Sequence, residues 1–295
     1  EAQRPGMIAG VDAVNQKAGP DVAALVERFQ IPLITTYKGK GLLHEDHPLA
    51  LGAAGLSPKA DKLLLPFVKT ADLVLLAGYD PIEMRVGWRN PWGNTATVIE
   101  IAATPNRHDM HQADISFVCD VRAGLNCLSE AVPGKQSWQN GEVAQLQTAL
   151  RKAFPRDEDW GPAAIIDEAR KAFPENGVAT VDTGAHRILL SQIWSCQFPR
   201  TLLQSSGFCT MGCALPLAIG HQLADADRPV IAFTGDAGLE MVLGELATLR
   251  DLQLPVIVVV FVDESLALIE LKQRAMGYDN LGVDFGHTNF PALAK

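Results

Sequence analysis

The chain has 295 residues, a formal net charge of -9 and 20% charged residues. That length suits about two domains, and the acidic balance argues against nucleic acid or an anionic membrane as the main partner. No run approaches the ~20 apolar residues of a membrane span, the opening EAQRPGMIAG has no signal-peptide pattern, and five cysteines without a CxxC pair read as reduced thiols of a cytoplasmic protein.

In chain order, Met7–Ala9 reads as a short strand. Asp21–Phe29 has helical spacing, with Val22, Leu25, Val26 and Phe29 on one side. Pro32–Thr35 is a second strand, Leu63–Val68 part of a helix, Asp72–Ala77 a buried strand, Thr97–Ile101 another and Ile115–Cys119 a short last one. Pro133–Trp138 is polar and contains Pro, Gly and Ser; a helical segment, Glu142–Phe154, and Pro155–Asp159 follow, and 133–159 reads as a connection between domains. In the second half, strands are expected at Val178–Val181, Thr201–Gln204, Val230–Thr234 and Val256–Val262. Helices are expected around Pro162–Lys171, His186–Cys196, Cys213–Leu223 and Leu239–Asp251. Such alternation predicts an α/β fold: two doubly wound domains with mostly parallel sheets and helices on both faces. The expected division is 1–133, a connection over 134–159, and 160–295. The start at Glu1 without Met, and the helix-like opening at Pro291–Lys295, read as cut ends of a longer protein, with the second domain truncated.

The chemistry concentrates between Val230 and Gln273. One apolar strand delivers Gly235, Asp236, Ala237 and Gly238 at its carboxyl end; another delivers Asp263, Glu264 and Ser265. Ligands of open α/β sheets bind outside the carboxyl ends of strands. Gly235 and Gly238 let backbone N–H groups approach a phosphate, and the next helix N-terminus adds a favourable dipole. Acidic groups beside a phosphate need a cation between them, and Mg²⁺ takes carboxylate, carbonyl and phosphate oxygens. Each acid alone could be a turn or cap residue; two acids on two strand ends separated by one helix are harder to read that way.

These residues resemble the signature of thiamine diphosphate enzymes, a Gly-Asp-Gly turn followed after a spacer by Asn-Asn. Gly235-Asp236-Ala237 and Val262-Asp263 stand at those places, with the Ala and the Asp as in acetolactate synthases. The segment SGFCTMGCALPLAIG (206–220) is similar to the family's Thr-Met-Gly region, and Glu245–Thr248 to its counterpart after the metal turn. The first half resembles the middle domain, with Gly78–Glu83 similar to a catabolic acetolactate synthase segment.

The resemblance implies specific roles. Asp236 and Asp263 would be side-chain ligands of Mg²⁺, with a backbone carbonyl from Ser265. Gly184 and His186 match a diphosphate-contacting segment, Gly235, Ala237 and Gly238 line the same turn, Met211 matches the wedge that bends the cofactor, and the Cys209 carbonyl matches an acceptor for its amino group. Lys272 departs from the pattern, standing where relatives carry Gln or Glu, and could be either a contact to the substrate carboxylate or a solvated helix lysine. FAD is not expected: Gly78-Tyr79-Asp80 lacks the family's arginine, and Asp80 and Glu83 would repel a dinucleotide phosphate. The family's activating glutamate comes from an N-terminal domain, expected outside this chain, so the chain alone is expected to be inactive. The implied activity is decarboxylation and carboligation of a 2-keto acid by a homodimer or homotetramer of the full-length protein. A decarboxylase, lyase or acetyltransferase of the same cofactor family, or a non-catalytic nucleotide-binding module, are the alternatives.

Overall fold

The structure is a computed structural model that describes residues 2–131, 137–205 and 207–295. The chain forms two compact units, one holding the residues up to Asp159 together with Ser191–Thr201, the other Trp160–Leu190 and Leu202–Lys295.

The first unit contains β1 (Pro5–Ala9), α1 (Val11–Asn15), α2 (Gly19–Phe29), β2 (Leu33–Thr36), β3 (Ala50–Ala54), α3 (Pro58–Lys69), β4 (Leu73–Ala77), β5 (Thr97–Ala102), β6 (Ile115–Val118), α4 (Val121–Ala131) and α5 (Glu142–Ala153). Its strands form one parallel sheet in the order β3-β2-β1-β4-β5-β6. That order reverses direction between β1 and β4, the arrangement of a doubly wound dinucleotide-type sheet. Side chains alternate across it: Met7 and Ala9 join a core with Val22, Leu25 and Val26 of α2, whereas Ile8 joins one with Leu64 and Val68 of α3. Both faces are buried, as a parallel sheet requires.

Two features of this unit go beyond the sequence reading. β3 was not foreseen, because ALGAA contains no β-branched or aromatic residue; it pairs with β2 through an irregular register. Within the stretch read as a connection, Trp138 and one face of α5 are packed, whereas residues 155–159 are exposed. Trp138 stacks on Phe67 at 4.3 Å and its indole N–H donates to the Pro5 carbonyl at 2.7 Å. α5 buries Val143 and Leu146 in the same core as α3. The expected boundary at Pro133 and the start of the connection, 134–136, lie outside the described residues.

The second unit contains α6 (Pro162–Ala172), β7 (Val178–Val181), α7 (Ala185–Ile193, whose last turn belongs to the first unit), β8 (Leu202–Gln204), α8 (Ala214–Ala224), β9 (Val230–Gly235), α9 (Asp236–Glu240), α10 (Glu245–Leu252), β10 (Val256–Phe261), α11 (Ala267–Ala275) and α12 (Phe290–Leu293). Its parallel sheet has the order β10-β9-β7-β8. Val178, Val230 and Ala232 pack against Ala214 and Ala218 of α8. All four carboxyl ends point the same way, so the loops after β7, β8, β9 and β10 gather at one edge.

The single helix expected over Leu239–Asp251 is two helices, α9 and α10, separated at Met241–Gly244. Two successive i→i+3 bonds, Val242 N–H to the Leu239 carbonyl and Glu245 N–H to the Val242 carbonyl, tighten the chain there. β10, expected as a buried strand, is an edge strand among the described residues and is only half-buried; Ile257 is 53% exposed. An apolar run marks a strand but does not tell a central one from an edge.

Candidate cofactor-binding site

The loop after β9 begins the site. Asp236 starts α9, where its carboxylate faces the helix N-terminus, and it is buried. Its Oδ1 accepts the Ala237 N–H at 2.8 Å. Its Oδ2 accepts the N–H groups of Asp263 at 3.1 Å and Glu264 at 2.7 Å. One carboxylate therefore ties the end of β9 to the end of β10. An ionised carboxylate has about four lone-pair directions, so three donors leave room for a further contact. The Asp263 carboxyl is held above the usual range, first by burial and then by the charge of Asp236. A carboxyl raised by a neighbouring carboxylate is what a divalent cation would relieve.

Around Asp263 the loop is short and polar. Ser265 N–H reaches Asp263 Oδ1 at 3.4 Å, the Ser265 hydroxyl donates to Glu270 at 2.7 Å, and Glu264, in left-handed backbone, pairs with His287 at 2.8 Å.

The loop after β7 supplies His186 on the first turn of α7. Its ring stacks on Phe261 of β10, 5.4 Å between centroids. Gly184 makes room for it: a Cβ there would lie 2.5 Å from His186 Cε1, and a Cβ at Gly235 would lie 3.5 Å from the same atom. Burial pushes the His186 pKa down to about 4, against the opposing pull of Asp182 and Asp236. The imidazole is thus neutral near pH 7, and its Nε2 is buried without a hydrogen-bond partner in the protein. Such an atom calls for a ligand or a water.

The loop after β8 carries Cys209 and Met211. Cys209 has a left-handed backbone (φ 51°), as has Gly212 (φ 78°). Met211 lies half-buried between them. The Cys209 carbonyl already accepts the Thr183 hydroxyl at 2.7 Å, and the second lone pair of that oxygen stays open for another donor. Ser206, at the head of this segment, lies outside the described residues.

The comparisons with known proteins meet this geometry. Residues 182–295 match the model of the thiamine pyrophosphate enzyme C-terminal TPP binding domain, and residues 1–128 that of the thiamine pyrophosphate enzyme central domain. The chain belongs to the thiamine pyrophosphate enzymes. It is 31% identical over 287 residues to the acetolactate synthase isozyme 1 large subunit of Escherichia coli, covering 94% of this chain and 49% of that protein. It is 27% identical over 302 residues to the acetolactate synthase of Bacillus subtilis, covering 100% and 53%. It is 28% identical over 299 residues to the probable 2-ketoarginine decarboxylase AruI of Pseudomonas aeruginosa, covering 100% and 52%. The chain spans about half the length of these relatives.

A thiamine pyrophosphate enzyme needs a place for the diphosphate, and the second unit fits one. The buried, partnerless His186 Nε2 and the Asp236 carboxylate, with fewer donors than lone pairs, both belong to loops at these strand ends. Among the described residues no three His, Cys, Asp or Glu side chains converge as a metal cluster; two carboxylates and a carbonyl are enough where phosphate oxygens and water complete a magnesium octahedron. Lys272 lies on α11 and is exposed.

One residue had no assigned role in the sequence reading. Asp182, the first residue after β7, is completely buried and accepts five donors: Thr183 N–H, Gly212 N–H, the Cys213 N–H and thiol, and the Thr234 hydroxyl. Gly238 exists beside it because a Cβ there would lie 2.1 Å from Asp182 Oδ2. A lone Asp after a strand reads as a turn residue; the available signal was an acid immediately following four strand residues and preceding Thr-Gly.

In the first unit the strand-end region near the β1–β4 reversal is crowded. A Cβ at Gly10 would fall 2.3 Å from the Gly78 carbonyl. Asp80 accepts the Ile82 N–H at 2.9 Å and pairs with His108 at 3.1 Å. The Glu83 side chain lies outside the described residues. Among the described residues no helix is long and apolar enough to cross a membrane.

Proposed function

We propose that this chain carries the diphosphate- and Mg²⁺-anchoring part of a thiamine diphosphate enzyme of the acetolactate synthase type. The reading divides it into a middle domain at 1–133, a connecting stretch at 134–159 and the cofactor-binding domain from 160 to 295. The observation that carries the reading is the carboxylate of Asp236 bridging two strand ends beside Asp263 and a partnerless His186 nitrogen.

In this reading Asp236 and Asp263 hold the metal, with the Ser265 carbonyl. Gly184, His186, Gly235, Ala237 and Gly238 surround the diphosphate. Neutral His186 can donate from Nε2 to a phosphate oxygen without bringing a second charge into the turn. The Cys209 carbonyl accepts from the amino group of the cofactor, and Met211 sets its bend. The bound cofactor supplies the stabilisation of a substrate carbanion after a 2-keto acid loses carbon dioxide. Lys272 contacts the substrate carboxylate; Lys272→Ala then raises KM or lowers kcat several-fold in the whole protein, and unchanged values of both would dismiss that role. The reading also places the protein in the cytoplasm, as a homodimer or homotetramer, without FAD.

The test is Mg²⁺-dependent binding of thiamine diphosphate, followed by calorimetry, with Asp236→Ala expected to abolish it. Binding that survives that substitution refutes the assignment. Product analysis with pyruvate then separates carboligation, which yields acetolactate, from simple decarboxylation, which yields acetaldehyde alone. The second outcome is the alternative favoured by the likeness to a probable 2-ketoarginine decarboxylase.

A further inference from the structure

We infer that Asp182 and Thr183, two consecutive residues at the end of β7, are positioning residues that hold the Cys209–Cys213 loop in its cofactor-bending shape. The inference deepens the reading above and rests on it.

The loop is pinned at both of its ends. At the near end, Cys209 takes a left-handed backbone that a residue with a Cβ rarely adopts. Its carbonyl receives the Thr183 hydroxyl at 2.7 Å. Thr183 Oγ1 in turn lies 3.5 Å from Arg187 Nη1, and Arg187 Nε donates to Gln204 Oε1 at 2.9 Å, at the end of β8. At the far end, Gly212 also has positive φ, and its N–H and that of Cys213 point into the Asp182 carboxylate at 2.8 and 3.1 Å. The same carboxylate takes the Thr234 hydroxyl of β9 at 3.1 Å. Met211 therefore sits on a short arch whose two feet are fixed by adjacent residues of one strand end. That strand end is itself registered to β9, because Asp182 N–H donates to the Phe233 carbonyl at 2.9 Å.

The division of labour follows. Asp236 and Asp263 stand just after β9 and β10 and would hold the cofactor's tail; Thr183 reaches the arch through the Cys209 carbonyl and would set its ring end, while Asp182 fixes the other foot and also ties it to Thr234 of β9. Releasing one foot should therefore spoil ring placement while leaving the tail's affinity intact. Misplacement by about 1 Å can cost on the order of 100-fold in rate.

The experiment uses Thr183→Val, which keeps shape and removes the hydroxyl, and Thr183→Ser, which restores it. In the whole protein, Thr183→Val is expected to lower kcat about tenfold or more with the dissociation constant of Mg²⁺-thiamine diphosphate changed less than about twofold, and to alter the near-ultraviolet circular dichroism of the bound cofactor. Thr183→Ser should restore all of these. Without any cofactor, iodoacetamide labelling located by peptide mass spectrometry should modify Cys209 faster in Thr183→Val than in wild type, and at the wild-type rate in Thr183→Ser. Equal labelling in all three proteins, or a lost affinity with kcat unchanged, overturns the positioning role. A wild-type protein that binds no Mg²⁺-thiamine diphosphate overturns the functional reading and this inference with it; faster Cys209 labelling in that case would leave Thr183 a structural pin only.

Discussion

Gly238→Ala offers a test of the site's internal packing that needs no cofactor. Position 238 lies inside α9, where Ala is the better helix former by about 1 kcal/mol, so helix propensity alone predicts a gain. The structure predicts the reverse. The new Cβ would stand 2.1 Å from Asp182 Oδ2 and 3.0 Å from Thr234 Oγ1. A carbon–oxygen contact needs well over 3 Å, so the carboxylate would have to withdraw by about 1 Å. Oδ2 would then lose good geometry to Gly212 N–H and to the Thr234 hydroxyl. Hydrogen bonds to a charged group are worth about 1.5–3 kcal/mol each, which gives a loss of about 3–6 kcal/mol and a net destabilisation of about 2–5 kcal/mol. At about 2–4 °C per kcal/mol for a domain of this size, thermal unfolding followed by circular dichroism should shift down by about 4–20 °C. Gly244→Ala is the matched control, since nothing lies within 4 Å of its Cβ; it should be neutral or stabilising by up to about 1 kcal/mol. A Gly238→Ala protein as stable as wild type would refute the packing argument for Asp182.

Two other expectations follow from buried charge. His186 has its pKa lowered to about 4 by burial, against about 6.5 in the unfolded chain. The unfolded state thus takes up the proton first, and stability present above about pH 6.5 should fall as pH drops toward 4, by on the order of 3 kcal/mol; urea unfolding of the cofactor-free protein across that range should show the slope, and His186→Gln should flatten it. Lys40 is buried beside Glu45 at 2.7 Å, and Glu45 also accepts the Cys196 N–H at 2.9 Å. Burial opposes the Lys40 charge, yet Glu45 overcomes it and raises the pKa, so the pair's contribution is fully present below about pH 10.5 and is lost as pH rises through the folded value. Lys40→Met should cost about 3–5 kcal/mol near neutral pH by leaving Glu45 unpaired, and an unchanged urea midpoint would contradict it.

The strands that could be read from sequence were short apolar runs, clearest where β-branched residues dominate, as in Val230–Thr234 and Val256–Val262. Their alternation with amphipathic helices was enough for the α/β class. β3 stayed hidden because Ala and Gly carry little strand preference and its burial comes from neighbours far along the chain. The break between α9 and α10 was hidden because apolar spacing continues across Met241–Gly244. At the site, acids on successive strand ends were legible as a pair. Asp182 was not: its importance lies in donors from residues 212, 213 and 234, which only the folded sheet brings to one carboxylate.

The grouping of Ser191–Thr201 with the first unit bears on how this protein can be dissected. Glu45 and Cys196, Asp46 and Gln197, and Ala53 and Gln192 are all joined by hydrogen bonds. The polypeptide passes from one unit to the other three times, after residues 159, 190 and 201. A single cut at the apparent midpoint would leave the first unit without an eleven-residue patch (191–201) and send Trp194 and Cys196, both buried, out with the second. Separate expression of the halves should therefore give sticky, poorly behaved proteins, and a soluble first unit should require residues 191–201 to be grafted back.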